Sequence, residues 1–160
     1  MTTPLVIYSR IGGGGGAPLA HTILRPGLFG QLPIALPHGP GPLHHVAWRA
    51  GGGGVEGVYI AEGDPAIAHY SYVVRKDFRF PFMGRDELHI GPCWTAPVAR
   101  GRGLFPAMLQ QIAHDFPGKR LWMFAQVDNH ASRAGIAKAG FAEVGSGRRI
   151  GRRYLLDGAR

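Results

Sequence analysis

Residues 97–109 read Pro-Val-Ala-Arg-Gly-Arg-Gly-Leu-Phe-Pro-Ala-Met-Leu. Arginine and glycine alternate, and an apolar run then begins at helical spacing. Phe105, Met108, Leu109 and Ile112 fall at i, i+3, i+4 and i+7, one face of a helix. Pro106 suits its first turn, where a missing N–H costs nothing. A helix entrance leaves backbone N–H groups without partners and carries partial positive charge. Glycines let an anion reach those amides, and Arg100 and Arg102 add formal charge beside them. The chemistry this loop suits is the binding of a phosphate or pyrophosphate. Read by itself, it is also compatible with a basic surface turn.

The elements around the loop set its position. The chain from Val55 alternates and ends in Gly63-Asp64-Pro65, a turn. Residues 66–75 are β-branched and aromatic and read as the partner strand of a hairpin. Residues 86–96 form a third strand. A helix of about 13 residues follows the glycine turn and ends at Pro117-Gly118. Residues 120–127 read as a buried strand, and residues 129–140 as a short helix capped by Asn129 and closed by Gly140. From Phe141 come last strands, broken at Gly145-Ser146-Gly147. Strand, helix and strand between 86 and 127 make a βαβ-like unit with the glycine turn at the helix entrance.

Composition bounds the rest. A chain of 160 residues is most simply one domain with a real core. No apolar run approaches the roughly 18–20 residues that span a bilayer. The N-terminus has no charged region before its short apolar stretch, which argues against a signal peptide. The single cysteine, Cys93, has no internal disulfide partner. Together these features suggest a cytoplasmic protein without membrane association. The net charge of +8 comes from 15 arginines against three lysines. Arginine is suited to phosphate and carboxylate, so the partner is anionic unless the bias only reflects genome composition. Residues 1–62 hold 14 of the 26 glycines and seven of the 13 prolines. The run 12–16 reads as a flexible loop, and 51–54 as a flexible link between two strands. The run 12–16 lacks the Gly-Lys-Ser/Thr ending of a nucleotide loop.

From 55 to 160 the chain resembles the GNAT superfamily, the acyl-CoA-dependent N-acyltransferases, while residues 1–54 are hardly recognisable. That family carries Arg/Gln-x-x-Gly-x-Gly/Ala after its fourth strand, often with a proline three residues earlier. Here Pro97, Arg100 and Gly103 match, and Phe105 stands where a small residue is usual. The family then has a strand, an Asn and a helix ending in Gly-Phe. Asn129, Ser132, Lys138, Gly140 and Phe141 supply that register. The resemblance implies an α/β (α+β) fold: a mixed, mostly antiparallel sheet splayed between two strands and flanked by helices. It implies acetyl-CoA as donor, with Arg100, Gly101, Arg102, Gly103, Leu104 and Phe105 around the pyrophosphate. Val98, Asn129 and Ser132 would lie near the coenzyme. Cys93 and Thr95 would lie along the pantetheine arm, held by strand backbone.

Acyl transfer needs the amine deprotonated, the carbonyl polarised and the leaving thiolate protonated. The family often places a tyrosine seven residues after the Asn for the last task, and this chain has Ile136. Tyr154 is the substitute acid the sequence offers. In related enzymes the strand holding Glu87 and His89 faces the acceptor. His89 titrates near neutrality, whereas Glu87 would need burial to raise its pKa. Each of these residues also has a plain structural reading as packing or a solvated strand position. Scattered histidines show no metal-ligand spacing. The acceptor implied is a primary amine on a small molecule, with amino sugars weakly favoured, and a homodimer is compatible with the family. Two alternatives stay open. One is a GNAT-like protein that binds acyl-CoA without turnover. The other is a basic nucleic-acid-binding module, against which stands the lack of helix-turn-helix, zinc-finger or RNP-type signatures.

Overall fold

The computed structural model describes residues 3–16, 18–63 and 66–158. Eight strands form one sheet in the order β2-β3-β4-β5-β6-β1-β7-β8. The strands are β1 Leu5–Ile11, β2 Thr22–Leu24, β3 Gly54–Glu62, β4 Ile67–Arg75, β5 Leu88–Thr95, β6 Arg120–Gln126, β7 Ala142–Ile150 and β8 Arg153–Asp157. The helices are α1 Pro42–Ala50, α2 Leu104–Asp115 and α3 His130–Lys138, with a 3₁₀ turn at Pro97–Ala99. Every pairing is antiparallel except β5 with β6, which is parallel. That pair is bridged by α2, as a parallel pair requires a crossover. Among the described residues no helix is long and apolar enough to cross a membrane.

Side-chain alternation sorts the sheet into two faces. On one, Tyr8, Val73, Leu88, Ile90, Leu121 and Met123 meet Met108, Leu109 and Ile112 of α2 and Ile136 of α3 in the main core. On the other, Trp48 of α1 covers Val58, Ile60, Tyr70 and Tyr72. Beside it, the segment joining β4 to β5 lays Phe80 and Met83 over Ile7 and Trp122. The α2 stripe is as its periodicity predicts: Met108, Leu109 and Ile112 are all fully buried.

Several expectations need correction. Residues 51–54 do not link two strands; they close α1 and lead into β3, with Gly51, Gly52 and Gly53 donating to carbonyls of Ala47, Arg49 and Trp48. The run 12–16 is not wholly free: Gly12 and Gly13 donate to Lys119 and Ala113 carbonyls at 2.7 Å, tying the end of β1 to α2 and β6. Gly145-Ser146-Gly147 does not break the last strands. It lies inside β7, where a bulge against β1 falls between the Ile7–Gly145 and Tyr8–Glu143 pairs. The reversal comes instead at Gly151-Arg152. Of the turn expected at 63–65, Asp64 and Pro65 lie outside the described residues.

Replacing Leu109 with Ala removes buried methyl groups from the centre of the main core. The expected cost is about 2–5 kcal/mol, read as a lower urea midpoint with an unchanged m-value.

Candidate functional site

β5 and β6 pair at just two positions, Leu88 with Leu121 and His89 with Trp122. Beyond His89 the two strands part. β5 runs on to Thr95 paired only with β4, and β6 runs on to Gln126 paired with β1. One edge of β5 is therefore left without a strand partner, with backbone groups free to bond an extended polar chain. A bulge in the β4–β5 ladder sets what this stretch presents. Gly91 and Pro92 together oppose Tyr72, so Ile90 pairs with Val73 and Cys93 with Ser71. The bulge turns Cys93 and Thr95 to the α2 face, re-aiming side chains beside a cleft.

At the open end lies a cavity of about 640 Å³ between β5, α2 and α3. Cys93 and Thr95 line it from β5; Arg100, Gly101 and Gly103 from the loop; Leu104 and Phe105 from the start of α2; Asn129 and Ser132 from α3. The fold thus brings together nine of the eleven expected coenzyme-binding residues. Val98 and Arg102 are exposed and do not line it. Lys138, absent from the expected set although it sits in the family register, adds a second cation to the wall.

The loop has the conformation its glycines predict. Gly101 and Gly103 take φ of +76° and +74°, a left-handed backbone that glycine adopts without penalty. A Cβ at either position would meet no protein atom within 4 Å, so it would project into open space. The backbone N–H groups of Gly101 through Phe105 have no hydrogen-bond partner among the described residues. Arg100 is anchored by its Nε, which donates to the Thr95 carbonyl at 3.2 Å. Unpaired amides, a helix start and two cations make up a chemistry suited to an anion.

Phe105, the departure from the small residue usual there, is accommodated by a reciprocal exchange. A Cβ on Gly135 of α3 would come within 2.7 Å of the Phe105 ring. The missing side chain on α3 makes room for the large one on α2. Asn129 caps α3, its Oδ1 accepting from the Ser132 amide at 3.1 Å. Its side-chain NH₂ remains as a donor beside the cavity. Ile136 is fully buried in the main core, so that position holds no acid.

Behind Thr95 stands a residue that sequence reasoning missed. His69 of β4 is fully buried. Its Nδ1 lies 2.7 Å from Thr95 Oγ1 and its Nε2 2.7 Å from Ser71 Oγ. Its ring also packs against Phe105 at 5.8 Å. Burial lowers its pKa to about 4, so the ring is neutral at physiological pH. Only the inward phase of β4 could have pointed to it. Burial likewise pushes the Cys93 thiol up to about 12, with a hydrogen bond from Ser71 pulling the other way. A raised thiol pKa leaves little thiolate at neutral pH.

The acid–base candidates lie off the cavity wall. Glu87 Oε2 accepts from Trp122 Nε1 at 2.8 Å and from the Gly84 amide at 2.9 Å. Tyr154 lies on β8, three strands from β6, and stacks on Phe80 at 5.6 Å. His89 is at the vertex where β5 leaves β6, on the face opposite α2.

No protein-family model matches the chain, and no curated protein matches it. Solved structures do. One, described as an acetyltransferase from the GNAT family of Novosphingobium aromaticivorans DSM 12444, aligns with a TM-score of 0.53 at 15% identity, covering 90% of this chain and 61% of that one. Another, an acetyltransferase from the GNAT family of Colwellia psychrerythraea, aligns with a TM-score of 0.54 at 12% identity, covering 89% and 53%. This chain spans about three-fifths and about half of their lengths. It has the GNAT fold, as the paired motifs imply.

The His69 network carries a pH signature. The folded state holds His69 near pKa 4, against about 6.5 when unfolded, so its contribution is complete above pH 6.5. That contribution is lost as pH falls from about 6.5 to about 4, about 3 kcal/mol in all. Burial also lowers His44, His45 and His89, so the loss on acidification should shrink in His69→Gln without vanishing. Urea unfolding at pH 4–7 measures it.

Proposed function

We propose that this chain is an acyl-CoA-dependent N-acyltransferase that acylates a primary amine on a small molecule, with acetyl-CoA as donor. The observation that carries the reading is a coincidence in space. The sheet parts beyond His89 and Trp122, and Gly101, Gly103, Leu104 and Phe105, with their unpaired amides, line the cavity at that same open end. The residues present fit such a donor. Left-handed glycines open toward the cavity, Arg100 and Lys138 supply cations for a pyrophosphate, and the unpaired edge of β5 suits an amide-bearing arm.

Bound there, an acyl-CoA thioester supplies an activated acyl group: a nitrogen–carbon bond forms and the carbon–sulfur bond breaks. The chain's own groups do the rest. The loop amides and Arg100 hold the phosphate end. The Asn129 amide and Thr95 hydroxyl offer polar contacts along the wall. His89 is the base. Burial lowers its pKa, with the Asp77 hydrogen bond partly opposing, so it is neutral and able to accept a proton at pH 7. With Ile136 buried, the departing sulfur takes its proton by way of His89 or from solvent.

A GNAT-fold protein that binds acyl-CoA without turnover is the second reading, favoured by Ile136 in the core. Thermal melting with acetyl-CoA at varied salt, followed by a free-thiol assay over amino sugars, aminoglycosides, polyamines and amino acids, separates the two. A stabilisation that survives moderate salt supports the pocket, and thiol release with any amine supports catalysis.

Gly103→Val forces a branched side chain onto a left-handed backbone and toward the phosphate site. Loss of one charge-assisted contact should weaken coenzyme A binding about tenfold; unchanged affinity in the folded variant, by calorimetry, would remove the loop from the site. His89→Ala should lower kcat for amine acylation by about 10²–10⁴-fold. The deficit should narrow as pH rises and more amine is free. Full activity across pH 6–8 would remove His89 as base and leave the transferase reading standing.

A further inference from the structure

His89 packs edge-on against Phe80 at 5.2 Å and Phe124 at 4.7 Å. Its Nδ1 lies 3.1 Å from Oδ2 of Asp77, a carboxylate with no exposed surface. Asp77 is held in turn by Arg79. The guanidinium donates from Nη2 to Oδ2 at 2.6 Å and from Nε to Oδ1 at 3.1 Å, and the Arg79 amide donates to Oδ1 at 3.0 Å. Burial works against the charge on Asp77. The hydrogen bonds from His89 and Arg79 outweigh it and hold the carboxyl well below the usual carboxylate range.

An ionised carboxylate can only accept a hydrogen bond, so the proton of the neutral imidazole belongs on Nδ1. Nε2 is left with its lone pair. That atom faces Gly91, where a Cβ would stand 2.8 Å from it. Gly91 lies past the last residue of β5 that pairs with β6.

We infer that Asp77, anchored by Arg79, is a positioning residue that locks His89 in the Nδ1–H tautomer and aims its Nε2 over Gly91, where the missing side chain leaves the base open to an acceptor. Its chemical consequence rests on the acyltransferase reading. As the nitrogen–carbon bond forms and the carbon–sulfur bond breaks, Nε2 takes one proton from the attacking nitrogen. The Asp77 carboxylate offsets the imidazolium charge. The proton then leaves to the departing sulfur or to water, and the ring returns to its starting state. The charged and titratable groups facing His89 are Asp77 and Arg79 of the β4–β5 segment and His44 of α1. β6 presents the Phe124 ring, and β8 presents Tyr154 across Phe80.

Long-range ¹H–¹⁵N correlation on the labelled protein reads the tautomer directly and needs no variant. The expected result is His89 protonated on Nδ1 alone at pH 7.5 to 8, and a switch or mixture in Asp77→Asn. With an acylated amine in hand, kcat of Asp77→Asn should fall by about 10²–10⁴-fold at an unchanged KM for acetyl-CoA. Arg79→Gln, which leaves the carboxylate in place, should show a smaller fall and serves if Asp77→Asn does not fold. A purely structural role would lower the melting temperature and leave tautomer and kcat of the folded protein alone. A wild-type proton on Nε2 overturns the inference, as does a folded Asp77→Asn that keeps both tautomer and kcat. If the protein binds coenzyme A and acylates no amine, the transferase reading fails and the wild-type tautomer alone decides this one.

Discussion

The structure depends on how little β5 and β6 touch. Two residue pairs hold the one parallel junction in the sheet, and the cavity, the glycine turn and His89 are arranged around its failure to continue. A parallel pair needs a crossover, and α2 provides it. Its entrance therefore falls at the end of β5, beside the parting strands. The bulge at Gly91-Pro92 turns β5 so that Cys93 and Thr95 face the cavity. A sheet that zipped fully would bury those backbone groups and leave no slot. As it stands they must find partners in water or in an extended ligand.

The two faces of the sheet meet the cost of burying polar groups in opposite ways. On the α2 face, His69 is neutral and satisfied by two hydroxyls. On the other, a full carboxylate is buried and compensated by a guanidinium and an imidazole. The first arrangement tolerates an apolar ligand wall. The second sets a buried carboxylate against an imidazole and a guanidinium, where burying the charge alone would be costly.

The chain from 55 onward was legible because its signals are local. A glycine turn before a helical stripe, an Asn that caps a helix, and a Gly-Phe at its end all survive without tertiary context. Residues before 55 were not. β1 is buried on both sides, with Val6, Ile7, Tyr8 and Ser9 all inside, so it shows no alternation. α1 begins at Pro42, directly after a stretch crowded by Pro33, Pro37 and Pro40 that masks its helical pattern. The paired exchange of Phe105 and Gly135 was half visible: the large residue stood out, and the small one that admits it lies 30 positions away on another helix. Asp77, His69 and the Gly91 bulge escaped for the same reason. Each acquires meaning from a partner that only the folded sheet supplies.

The position of β1 has a bearing on how the molecule comes to be made. Among the described strands it is the earliest in sequence, yet it sits between β6 and β7, the sixth and seventh. Its partners lie more than 100 residues downstream, Leu5 pairing with Gln126 and Gly147. Contacts so distant in sequence form slowly, and an unpaired apolar strand is prone to association while it waits. The sheet cannot close around β1 until β6 and β7 have both been made. The hairpin of β3 and β4, and β5 beside it, pair locally in sequence, so the β5 side of the cavity can assemble before the strand across its gap.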